Sequence, residues 1–78
     1  SQRMVRDRRW KYIWNATAPD ELYDLEKDAA ELHNLATRPD HAGELDRLRR
    51  RLVWWMDHTN DALLNPWTRR QIEEGLTR

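Results

Sequence analysis

MVRDRRWKYIWN, residues Met4 to Asn15, alternates as a strand does. Trp10, Tyr12 and Trp14 fall on one side of a period-two pattern and Lys11 and Ile13 on the other, so one face of this segment is packed. Met4 to Arg6 is expected to pair with it across Asp7-Arg8-Arg9, a link short enough for a hairpin, although no Gly there supplies the positive φ of the favoured two-residue turns. Working outward, Asn15 to Asp20 reads as a loop with Pro19-Asp20 as its turn signal, and Glu21 to Leu25 as a third short strand. An antiparallel meander over residues 1–26 is the expectation.

From Asp28 the pattern becomes helical. Asp28 followed three residues later by Glu31 has the acidic form of a capping box, and with Ala29, Ala30, Leu32 and Leu35 it predicts a short helix over 28–36. The main helix is predicted over 39–59: Pro39 suits a first turn, and Asp40 and Glu44 sit where the helix dipole favours negative charge. Leu45, Leu48, Leu52, Trp55 and Met56 then recur at steps of three and four, a stripe about 100° wide that must be buried on the sheet. Trp54 lies outside it, roughly opposite the stripe centre at about 100° per residue. Pro66 opens a terminal helix over 66–75, stopped by Gly75. The fold class is α+β: a small antiparallel sheet of about three strands, one long amphipathic helix across it, and short flanking helices.

With 78 residues, 38% hydrophobic and 36% charged, the chain makes a single unit with little core to spare. Five Trp and two Tyr speak against disorder. There is no Cys, hence no disulfide, thiolate metal cluster or cysteine nucleophile. Fourteen basic and fourteen acidic residues cancel, so no global field selects nucleic acid or an anionic membrane, and neither is an expected partner. No apolar run approaches a transmembrane length, and SQRMVRDRRW lacks the apolar core of a signal peptide, so the chain reads as soluble with its compartment unknown. Its start at Ser1 rather than Met is read as an artificial or processed beginning.

The order of residues adds a family. Arg8 or Arg9 with Lys11, Tyr12 and Ile13, followed by Glu21, Leu22, Tyr23, Asp24, Leu25, Asp28, Glu31, Asn34, Leu35 and Ala36, resembles the carboxy-terminal subdomain of the sulfatases. There a basic, aromatic strand of R-x-x-K-Y-I type precedes E-L-Y-D-L-x-x-D-P-x-E-x-x-N-L-A. The long helix ending in WWMDHTND is similar too, and the likeness runs from about Met4 to Asp61. Ala29 stands where the family usually has Pro, and Arg8 where many members carry a small residue. The resemblance implies a parent enzyme that hydrolyses sulfate esters with a formylglycine beside a calcium ion. No C/S-x-P-x-R motif is present to supply the formylglycine, so no catalytic, cofactor or metal residue is assigned, and the implied partner is the catalytic domain upstream. The alternative is a freestanding interaction module that self-associates or binds a protein partner through its open sheet edge.

Several residues invite sharper readings. Trp54 and Trp67 are the candidates for an interdomain surface, Trp54 because it is off the stripe. Arg6, Arg9 and Lys11 are candidates for a cationic substrate rim, since Arg suits sulfate geometry, against the plainer reading of ordinary ion pairing. Arg47, Arg49, Arg50 and Arg51 with Trp54 and Trp55 resemble a nucleic-acid platform, but Asp40, Glu44, Asp46 and Asp57 on the same helix favour salt bridging. His33, His41 and His58 are too scattered for a metal. Asp20, Glu21, Asp24 and Glu26 read as a solvated acidic edge facing the basic hairpin. Asn15-Ala16-Thr17 matches a glycosylation triplet common by chance.

Overall fold

A computed structural model of the chain describes residues 2–74. Three strands, β1 (Gln2–Arg6), β2 (Trp10–Asn15) and β3 (Glu21–Asp24), form an antiparallel sheet in the order β1-β2-β3. Val5 pairs with Tyr12 and Arg3 with Trp14, while Tyr12 pairs with Leu22 and Trp10 with Asp24, so these residues share the face turned to the helix. A 3-10 turn, Pro39–His41, leads into α1 (Ala42–His58), and α2 (Pro66–Glu74) packs on α1. The architecture is α+β, as the alternation and the helical stripe required. The Gly75 stop expected for the terminal helix lies outside the described residues.

The hairpin solves its lack of glycine with an aspartate. The Asp7 carboxylate accepts the N–H groups of Arg9 and Trp10 at 2.8 and 2.7 Å, and the Asp7 N–H donates to the Trp10 carbonyl at 2.9 Å. Such a side-chain turn holds the reversal without positive φ, and neither Arg8 nor Arg9 has one.

The core gathers Trp10, Tyr12, Trp14 and Leu22 from the sheet, Leu45, Leu48, Leu52, Val53 and Met56 from α1, and Ile72 from α2. One stripe residue is corrected. Trp55 is 56% exposed, and Val53 is buried in its stead. On the helical wheel the two stand on opposite shoulders, about 80° either side of the stripe centre. Hydrophobicity favours the larger Trp, but the Val53 side of α1 is the one that faces inward, where Arg49 bonds to the buried Asp20, and Trp55 borders the groove beside β1.

The predicted helix over 28–36 is also corrected: this segment is a loop of turns. In a capping box the Asp28 carboxylate would take the N–H of Glu31; instead it takes those of Leu32 and His33 at 3.0 and 2.9 Å. Glu31 itself is left-handed, with φ 57°, which ends any helical turn. The competing demand comes from β3, whose outer edge needs partners. The Leu22 N–H donates to Asn34 Oδ1 at 2.9 Å, and the Leu22 carbonyl accepts the Leu35 N–H at 2.8 Å. The loop therefore lies along β3 in place of a further strand.

Candidate docking face

The residues that carry the family resemblance are spent on bracing. Asp24 is 4% exposed and receives Arg9 through two bonds, Nε at 3.2 Å and Nη2 at 2.9 Å. That guanidinium holds the Asp24 carboxyl below the usual carboxylate range. Lys11 Nζ meets both oxygens of Glu31 at 3.0 and 3.1 Å. Glu21 takes the Tyr23 hydroxyl at 2.5 Å, which together with desolvation lifts that phenol to about 12. Asn34 also donates to the Asp20 carbonyl at 3.0 Å, closing the loop on β3. Burial of a carboxylate or amide is tolerated only where its bonds are made, and here they are made within the fold.

Arg9 and Lys11, candidates for a substrate rim, are thus placed in ion pairs that tie β2 to β3 and to the following loop. The acidic edge is corrected as well: Asp20 and Asp24 are buried rather than solvated. Asp20 Oδ2 accepts the Tyr12 hydroxyl at 3.0 Å and Arg49 Nη2 at 2.8 Å, locking the sheet to α1. Burial, with the Asp20 charge beside it, pushes the Tyr12 phenol far above its ordinary value.

Arg6 is different. It lies on the open edge of the sheet, with no hydrogen bond or ion pair among the described residues. Beside it runs a groove of about 320 Å³ lined by Met4, Val5, Arg6, Arg51, Trp54 and Trp55. Trp54 and Trp55 are 52% and 56% exposed and Met4 is 50% exposed. The His58 ring stacks on Trp54 at 4.0 Å and fixes one face of the indole. This is the one place among the described residues where exposed large apolar side chains converge around a groove.

Of the sequence candidates, the groove unites Arg6 and Trp54. It does not include Trp67, which is exposed on α2. Arg51 and Trp55, which the sequence sets beside Trp54 in a basic, aromatic cluster, also line it, and Met4 joins them without having been a candidate. A signal for Trp55 existed in its shoulder position on the wheel, and for Met4 in its alternation on a strand with an open side. A second depression, about 550 Å³, lies between the 28–36 loop and the 3-10 turn, with Lys27, His33, Arg38 and His41 on its wall. Its carboxylates, Asp24 and Asp28, are already engaged, Asp24 by Arg9 and Asp28 by backbone N–H groups. Among the described residues no cluster of His, Asp and Glu is arranged to hold a metal ion. No helix there is long and apolar enough to cross a membrane.

No family model matches the chain. Individual proteins do. It is 49% identical over 35 residues, 45% of its length, to a choline-sulfatase of Rhizobium meliloti. It is 30% identical to an ulvan-active sulfatase of Formosa agariphila in a match that takes in 78% of the chain. It is 43% identical over 54 residues, 64% of its length, to arylsulfatase K of Danio rerio. The chain spans 7%, 18% and 10% of the lengths of these relatives.

Proposed function

We infer, from the premise that this chain is related to the sulfatases, that it acts as the carboxy-terminal subdomain of a sulfatase-like hydrolase. In that role it has no active site of its own and docks on the catalytic domain of the parent. The parent would carry the formylglycine and the calcium ion, and would hydrolyse a sulfate ester.

The observation that supports this reading most is the use made of the resemblance residues. Arg9, Lys11, Asp24, Glu31 and Asn34 all bond to one another or to the backbone of β3. A sequence pattern consumed in bracing a sheet specifies a shape rather than a reaction. The apolar groove at the opposite edge, with two Trp half in water, is the kind of surface that a neighbouring domain covers.

The test is the intact mass of the native gene product together with peptide mapping for formylglycine. A product several times heavier than 9.5 kDa that bears the modified residue supports the reading. A product of about that mass sinks it and leaves the interaction module, for which the open β1 edge speaks.

A further inference from the structure

We propose that the β1 edge and its groove receive an extended acidic segment that adds to the sheet as a further antiparallel strand. This deepens the docking reading and rests on it for the existence of a partner, but its test requires neither sulfatase activity nor formylglycine.

The two edges of the sheet are not alike. At β3 the Leu22 N–H and carbonyl are taken by Asn34 and Leu35, and the Asp24 carbonyl accepts the Asp28 N–H at 2.8 Å. That edge is sealed. At β1 the pairing of Asp7 with Trp10 sets the ladder, so that Arg3 and Val5 direct their backbone groups at β2 while Gln2, Met4 and Arg6 direct theirs outward. The Gln2 carbonyl accepts Arg3 Nη1 at 2.9 Å, while the carbonyls of Met4 and Arg6 have no partner among the described residues. Folded chains protect such an edge with a bulge, a proline, an overlying loop or charged side chains. β1 has only its short length and the charges of Arg3 and Arg6, which deter pairing but select for a strand that brings carboxylates.

The chemistry of the surroundings selects the occupant. Arg6 and Arg51 line the groove and neither has a carboxylate partner among the described residues, whereas Arg47, Arg49 and Arg50 on the same helix all have one. A second copy of β1 paired antiparallel about Met4 would set Arg6 opposite Gln2 and Arg3 opposite Val5, and so would bring no carboxylate from its strand to Arg6 or Arg51. An extended segment that alternates acidic and apolar residues answers both demands. Added as the next strand, its carboxylates meet Arg6 on the face turned away from α1, and its apolar side chains seat against Trp54 and Trp55 on the helix side. Arg51 adds positive charge beside the groove, and the backbone of the segment bonds to Met4 and Arg6.

The probe is a short capped peptide alternating glutamate and valine, titrated into the 78-residue chain at low ionic strength. The expected result is saturable binding with slowed hydrogen exchange at the Met4 and Arg6 amides, and at least tenfold weaker binding of the lysine–valine counterpart. Met4→Pro removes an outward N–H without touching the ladder and should abolish binding. Because a proline there can also disturb folding, the paired change Arg6→Glu with Arg51→Glu, on exposed side chains, provides the second arm and should reverse the preference between the two peptides. Equal binding of both peptides, no binding of the acidic one, or a preference unmoved by the charge reversal would overturn the proposal. Protection of the same amides by concentration-dependent dimerisation without peptide would overturn it in favour of a second copy.

Discussion

Asp20 lies in a loop, yet it is 4% exposed and joins three elements of the fold. It accepts the Tyr12 hydroxyl from β2 and the Arg49 guanidinium from α1, and its own carbonyl accepts Asn34. Removing one partner of a buried pair leaves the other charged and desolvated. Asp20→Ala should therefore cost about 3 to 5 kcal/mol, against total stabilities of roughly 5 to 15 for ordinary domains. Urea unfolding followed by tryptophan emission reads this directly. A loss well under 1 kcal/mol would show that water replaces the carboxylate. Asp7 acts at the same scale through pH. Burial raises its pKa, but the N–H of Trp10, the Arg47 guanidinium and the N–H of Arg9 outweigh this and bring it to about 2. A folded value below the unfolded one, about 3.9, stabilises the fold above that value and loses the effect as pH falls toward 2. Asp24, Asp28 and Asp61 shift the same way and add to that acid limb. Asp7→Asn keeps an acceptor for the hairpin but loses the ionic partner of Arg47. The variant should be less stable at neutral pH and show a shallower fall between about pH 4 and 2 in acid titrations of its circular dichroism.

At the scale of elements, the segment from Asp28 to Leu35 shows an edge winning over a helix. Its alanines and leucines favour helix by only tenths of a kcal/mol each, and a helix this short is marginal in water. The backbone of β3 offers bonds worth more, since an unmet N–H beside a buried strand costs about 1 to 3 kcal/mol. Asn34 is the pivot, serving Leu22, Ala36 and Asp20 at once. Asn34→Ala should lower stability by about 1 kcal/mol and speed hydrogen exchange at Leu22 selectively. An unchanged Leu22 amide would mean that Leu35 alone secures the edge. α1 carries a related lesson. Leu45, Leu48, Leu52 and Met56 are legible as its buried stripe from spacing alone, but the choice between Val53 and Trp55 depends on how the helix leans on the sheet.

For the whole molecule, the high charge content has a structural use. Arg3 grips Asp61 with both arms at 2.7 and 3.2 Å, tying β1 to the turn after α1. Arg47 ties the hairpin to the helix through Asp7 at 2.8 Å, and Arg49 ties it to the loop before β3. Near balance of acidic and basic residues follows when many of them are partnered internally. The five Trp divide in the same manner. Trp14 is 1% exposed in the core, whereas Trp54, Trp55 and Trp67 face outward. Trp14→Ala should cost about 3 to 5 kcal/mol, while Trp54→Ala and Trp55→Ala in this chain should each stay within about 0.5 kcal/mol. Thermal unfolding of the three variants distinguishes them. A large loss at Trp54 or Trp55 would place it in the core rather than on a docking face.

Period-two alternation from Trp10 to Trp14, the leucine steps of α1 and the proline openings were enough to predict a three-stranded sheet under one long helix, because local geometry dictates those spacings. The motif residues from Glu21 to Ala36 were equally visible, but not what they do, since their partners lie in other elements: Arg9 for Asp24, Lys11 for Glu31, Leu22 for Asn34. Only the tertiary structure decided that Arg9 and Lys11 brace the sheet while Arg6 stays open. It also decided that Trp55 joins Trp54 and Met4 in one groove. The physical reason is that a side chain's pairing and burial depend on distances between elements remote in sequence, whereas periodicity reports only which way a residue points from its own strand or helix.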